Sequence, residues 1–224
     1  MAKQLFFNPQ TEEQLAQIRR DLHLNMNGVV SGTMAGAGLD YKVIYGTQWP
    51  ELKKIASRYP QNAALAECLW KMDVRETKIL ATLLYPVEEF SEERADAWAQ
   101  TLPSAEMSVF LSMNLLSKTS YAKRKISGWA IVENKMTRLL AYNLLLHISD
   151  KLDEKECWEV LKSVLPALAD ARYADTAARL LEVVERVSVQ RGVLSQNVLN
   201  EMTRLSVPGQ FRDEYANCLN FYCD

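Results

Sequence analysis

Asp73-Val74-Arg75-Glu76-Thr77-Lys78-Ile79-Leu80-Ala81-Thr82-Leu83-Leu84-Tyr85-Pro86 is the stretch that decides the fold. Ile79, Leu80, Leu83 and Leu84 recur at helical steps, the pattern of a helix with one buried face. Asp73 and Glu76 have the spacing of a capping box, and Pro86 stops the helix because proline disfavours α geometry in Tyr85. Upstream, Thr11 and Gln14 offer another box, predicting a helix to about Met26. Downstream, Ser91 caps a helix to about Leu102, Pro103-Ser104 starts the next, Asn134 caps one through Leu145, and Asp153 with Glu156 forms a further box. Strand signals are nearly absent. Short connections between such units make consecutive helices antiparallel neighbours, and about ten of them predict an all-α chain arranged as an α-solenoid or superhelix.

With 224 residues, 48% of them hydrophobic and 24% charged, the chain has the makings of one core and is neither wholly disordered nor collagen-like. No apolar run reaches the roughly 18 residues of a membrane span, and the opening MAKQLFFNPQ lacks an apolar leader. Cys68, Cys157, Cys218 and Cys223 form no CxxC pair, so a soluble, reduced, cytoplasmic protein is expected. One segment breaks the helical rhythm. Residues 27–46 hold Gly28, Gly32, Gly36, Gly38 and Gly46 but neither phosphate-cradling glycine motif, and they read as a loop or short helices at a flexible joint.

The formal net charge is only -2, so a polyanionic partner must be met by local patches. Residues 118–138 contain Lys118, Lys123, Arg124, Lys125, Lys135 and Arg138 against Glu133, whereas residues 88–96 hold Glu88, Glu89, Glu92, Glu93 and Asp96 against Arg94. Arg172, Arg179 and Arg186 recur at seven-residue spacing and would share a helix face, where they serve either phosphates or the neighbouring Asp175, Glu182 and Glu185. Trp129 borders the basic cluster and is open to two readings, base stacking or packing between helices. His23 and His147 are far apart, no metal-ligand spacing appears, and no cofactor is expected.

From Tyr41 to about residue 190 the order of features resembles the bacterial DNA alkylation repair family of HEAT-like proteins, often called AlkD-like. Tyr45 to Ala56 is similar to the family's glycine, proline and basic helix entry. Leu69-Trp70, Arg75-Glu76 and Ala81 resemble its next helices, and Trp129 with Arg138 resembles a later tryptophan and arginine. The resemblance implies a curved stack of HEAT-like antiparallel helix pairs whose concave face takes double-stranded DNA through its phosphate backbone. Active members release cationic alkylated bases. A single domain over residues 1–224 is then expected, with an N-terminal helix and glycine-rich joint over 1–46, helical repeats over 47–205 and a C-terminal tail over 206–224.

The family's catalytic signature is a tryptophan pair, then Asp-Ser-Val-Asp, and another tryptophan on a later helix. Ser108-Val109 falls under its Ser-Val, but Phe110 stands in the place of the essential aspartate, and Leu180 or Leu181 where the later aromatic would be. Arg138 alone is retained. Releasing a cationic base needs a carboxylate to stabilise the oxocarbenium sugar and aromatic faces to hold the cation. Glu106, one turn before Phe110, is the substitute candidate, although a carboxylate at a helix start also serves the helix dipole. The expected DNA-contacting residues are Lys123, Arg124, Lys125, Trp129, Lys135, Arg138, Arg172 and Arg179. The expected function is DNA binding with altered or lost base excision. The alternatives are an active alkylpurine DNA glycosylase using substitute residues and a protein-interaction scaffold.

Overall fold

The computed structural model of the chain describes residues 9–189 and 191–222. Residues 1–8, 190 and 223–224, with Cys223 and both ends of the expected domain span, lie outside them. Helices follow one another as α1 (Pro9–Leu24), α2 (Gly28–Gly36), α3 (Trp49–Ala56), α4 (Ala63–Lys71), α5 (Arg75–Leu84), α6 (Glu92–Gln100) and α7 (Ala105–Asn114). They continue as α8 (Ala122–Trp129), α9 (Lys135–Ile148), α10 (Glu154–Val164), α11 (Pro166–Ala169), α12 (Ala174–Ser188), α13 (Gly192–Arg204) and α14 (Gly209–Tyr222), so a helix lies within the stretch read as a tail. Among the described residues no strand forms and no helix is long and apolar enough to cross a membrane. Two compact units divide the chain, Met1–Arg94 and Ala95–Asp224, with the boundary in sequence inside α6.

In the first unit α3 and α4 pack on α5, whose residues are buried almost all round, from Arg75 to Thr82 and at Leu84. Leu52, Ile55, Leu65, Leu69 and Trp70 close this core. The capping box expected at Asp73 does not form. Val74 is the cap residue and accepts no side-chain role, because residues 73–75 pair instead with Val43: Val43 N–H donates to Asp73 O and Arg75 N–H to Val43 O. Glu76, freed from capping and fully buried, accepts from the backbone N–H groups of Tyr45 and Gly46, each at 3.0 Å, and from Arg75 Nη1 at 3.1 Å. The box expected at Thr11 also gives way, since α1 already begins at Pro9. Lys78 is buried beside Trp70, donating to its carbonyl oxygen and lying over its ring, and desolvation pushes its ammonium below the usual lysine range.

The glycine-rich joint is not a loose tether. Asn27 Oδ1 caps α2 by accepting from Val30 N–H, Asn27 N–H donates to Tyr45 O at 2.9 Å, and Ser31 Oγ donates to Ile44 O at 2.7 Å. Gly46, at φ +72°, lets these backbones touch: a Cβ there would collide with the Asn27 carbonyl and sit 2.7 Å from Ser31 N. Glycine is needed here both for the left-handed backbone and for the space.

The second unit is two layers of helices. One layer runs α7, α9, α12, α14 and the other α6, α8, α10, α13, the layers joined by the α8–α9 and α13–α14 pairs. Central α9 is buried on nearly every side from Thr137 to Leu145. Several side-chain hydrogen bonds between neighbours join residues 33 to 38 apart, as in Lys123–Glu156, Ser108–Asn143, Ser127–Ser163, Asn143–Arg179 and Thr137–Ala99. That recurring interval marks a structural repeat that the sequence does not show by identity.

Four expected caps form. Ser91 Oγ accepts from Arg94 N–H at 3.3 Å, Ser104 Oγ accepts from Met107 N–H, Asp153 and Glu156 complete a capping box, and Asn134 Oδ1 accepts from the N–H groups of Met136 and Thr137 at 2.9 and 3.2 Å. Asn134→Ala should lower stability by about 1 kcal/mol, the ordinary worth of such a cap. Thermal denaturation followed by circular dichroism checks this, and an unchanged midpoint would refute the role.

Candidate nucleic-acid interface

Four cations of the basic cluster predicted over residues 118–138, Lys123, Lys125, Lys135 and Arg138, are met in space by acids far away in sequence. On α8, Lys123 pairs with Glu156 at 3.2 Å and Glu159 at 3.4 Å. Desolvation lowers the Lys123 ammonium, but the two carboxylates together outweigh it and hold it above the usual lysine range. Lys125 pairs with Asp96 at 2.8 Å, and the other oxygen of that carboxylate accepts from the Trp129 indole N–H at 2.9 Å. Trp129 is 6% exposed, so of its two readings the structure holds it in packing, its ring under the Lys125 ammonium. Arg124 is exposed on the same helix.

At the start of α9, Arg138 is 2% exposed and spends its whole guanidinium inside the protein. Nη1 donates to the carbonyls of Val132 and Glu133 at 2.8 and 2.7 Å, Nε to Thr176 Oγ1 at 3.2 Å, and Nη2 to Asp175 at 2.6 Å, with Tyr173 beneath its plane. It staples the α8–α9 connection to α12. Lys135, half exposed, reaches the other oxygen of Asp175 at 3.6 Å.

The seven-residue arginine stripe is interrupted. Arg172 precedes α12 in the short turn Ala171–Tyr173, where it clasps Asp170 at 2.6 Å and holds that carboxyl below its usual range, first by the side-chain bond and then by its backbone N–H. Arg179 and Arg186 do share α12, and both bind Glu182, at 2.5 and 2.8 Å. Arg179 also donates to Asn143 Oδ1, while Asn143 Nδ2 donates to Ser108 Oγ at 2.8 Å. A polar ladder therefore crosses α7, α9 and α12 from Ser108 to Glu182. Sequence reasoning named Ser108 and Arg179 but missed Asn143, because an asparagine amid the apolar residues of α9 is a signal only once its neighbours are known.

Beside this ladder, Glu106 stands in the first turn of α7 and Phe110 one turn further on, both half-buried. Met107 and Ser108 face the core, so the half-exposed edge of α7 is the one carrying Glu106, Val109 and Phe110. His147 on α9 is pushed below the usual histidine range by desolvation and by Arg179, which keeps it neutral near pH 7. Cys68, Cys157 and Cys218 are free thiols raised above the usual range by burial, unlike activated nucleophiles. No group of three or more His, Cys, Asp or Glu able to hold a metal ion forms among the described residues.

The nominated residues thus divide between the layers: Lys123, Arg124, Lys125 and Trp129 on α8, and Lys135, Arg138, Arg172 and Arg179 around the α9–α12 edge. Among known proteins, the family described as DNA alkylation repair enzyme matches residues 8–172. A solved structure described as "A new family of proteins related to the HEAT-like repeat DNA glycosylases with affinity for branched DNA structures" shares this fold with a TM-score of 0.70. The two are 14% identical, over 85% of this chain and 82% of that one. No curated protein matches the sequence.

Proposed function

Because this chain belongs to the DNA alkylation repair family, we propose that it is a DNA-binding HEAT-like protein whose base-excision activity is altered or lost. The observation that carries this reading is Phe110. Where the resemblance puts the aspartate that supports a developing sugar cation, α7 presents an aromatic ring with no charge. Glu106 is the acid nearest in sequence on that edge, and as a first-turn residue it already has a favourable role at the helix N-terminus. Binding survives the loss of chemistry because phosphates need only positive charge and donors, not the excision residues.

Lys135, Arg172 and Arg179 at the α9–α12 edge are the proposed phosphate contacts, with Lys123 and Arg124 a second group on the other layer. Arg138, Lys125 and Trp129 act by holding those helices in place. The protein would act in the cytoplasm, where thiols stay reduced. Two other readings have specific support: Glu106 and Phe110 on one half-exposed edge favour a glycosylase with a substitute acid, and the cancelled cations favour a protein scaffold.

Titration of a labelled duplex tests the proposal. If three phosphates are neutralised, affinity should fall about 40-fold between about 50 and 200 mM salt. Salt-insensitive binding, or none at the lower salt, would leave the scaffold reading. Release of free base from methylated duplex would establish the glycosylase instead, and Glu106→Gln would then abolish it.

A further inference from the structure

No charged side chain occurs from Leu24 to Leu39, and α2 within that stretch buries none of its residues. Leu24 and Val29 are each 82% exposed and Met26 is 54% exposed, whereas large apolar side chains are ordinarily withdrawn from water. Gly28, Gly32 and Gly36 recur every turn with open space where a Cβ would be, leaving one face of α2 smooth. Such a helix has little stability of its own, since each glycine costs about 1 kcal/mol and nine residues are too few to nucleate well in water. Its N-terminal end is nevertheless fixed, through Asn27 and Ser31, to residues 44–46, and these are tied to buried Glu76. An apolar tip is therefore presented at a fixed place and is left open by the described residues.

Charge distinguishes the surroundings of this tip from the second unit. There, Lys123, Lys125, Lys135, Arg138, Arg172 and Arg179 are all ion-paired. Here, Arg19 and Arg20 are exposed on the last turns of α1, just before Leu24, and Lys42 is exposed beyond α2; none of the three has an ion pair among the described residues. Asp21, between Arg20 and Leu24, is buried and taken by Tyr59 and Arg58, so the exposed acids of this neighbourhood are Asp40 and Asp73, the latter beside Val43. Uncommitted cations beside an uncharged apolar wedge match a polyanion with accessible base faces. Minor-groove and architectural proteins use this combination, inserting apolar side chains between bases while arginine and lysine hold the phosphates.

We propose that Leu24, Met26 and Val29 form a wedge that seats on unstacked bases at a DNA branch point, with Arg19, Arg20 and Lys42 on the flanking phosphates. Opening an intact stack costs a few kcal/mol per step, but at a branch that cost has already been met. The wedge therefore discriminates branched from linear DNA, while the phosphate contacts serve both. This inference rests on the DNA-binding reading and names the structure that the bound DNA should have.

The test compares the full chain with Leu24→Ser/Val29→Ser on a labelled three-way junction and on a linear duplex of the same sequence. Both positions are exposed, so the variant should melt like the parent. The junction preference should fall about tenfold, the order expected when apolar contacts of this size are lost, with linear affinity unchanged. Arg19→Gln should weaken both ligands alike. An unchanged preference would overturn the wedge while leaving DNA binding intact. A preference that is kept while the variant loses self-association, or loses binding to anionic vesicles, would assign the face to a second copy or a lipid surface. A parent chain that binds neither DNA would remove the wedge together with the reading beneath it.

Discussion

Arg138→Ala should destabilise the protein by about 2–4 kcal/mol, chiefly through the buried acceptors left without a donor, because Asp175 is 44% exposed and its ion pair is screened by water. The side chain is 3% exposed, and truncation would strand two carbonyl oxygens, the Thr176 hydroxyl and one oxygen of Asp175. The melting temperature should fall by about 10 °C at this chain length. Lysine should not rescue the loss, because a single ammonium cannot reach all the acceptors spread around the planar fork of the guanidinium. Lys135→Ala, which removes a half-exposed partner of the same carboxylate, should cost little. An Arg138→Ala protein that melts like the parent and only binds DNA less well would return this arginine to the interface, where the sequence alone suggests it belongs.

Glu76→Ala should cost about 3–5 kcal/mol in the first unit, because it leaves the Tyr45 and Gly46 N–H groups without their acceptor and takes the carboxylate from beside the buried Arg75 guanidinium. Gly46→Ala attacks the same junction from the other side, by strain at φ +72° and collision with the Asn27 carbonyl. Both variants release α2 from residues 44–46, so their combination should cost clearly less than the sum. Urea denaturation followed by tryptophan fluorescence, with Trp49 and Trp70 reporting on this unit, measures the cycle. Strict additivity would show that Glu76 and Gly46 hold different things.

What the sequence made legible follows the reach of each interaction. Ser104, Asn134 and Asp153 were readable as caps because their partners lie within one turn. Asp73 was misread because the backbone that claims residues 73–75 is at Val43, beyond any local rule. The same distance hides the charge balance. Residues 118–138 are basic as text, but Asp96, Glu156, Glu159 and Asp175 arrive from other helices to meet them. Phe110 in the place of an aspartate was plain from the sequence, whereas the ladder through Asn143 required the packing of three helices.

The recurring 33-to-38-residue reach of many cross-links in the second unit also bears on how the unit comes apart. Each helix pair is fastened to the pair before and the pair after, and to little else, so stability travels along the array as a nearest-neighbour sum. A terminal pair has one fastening instead of two, and it should exchange amide hydrogens first, with α9 last. The unit should therefore come apart stepwise along the array, α13 and α14 opening while α8 and α9 are still closed.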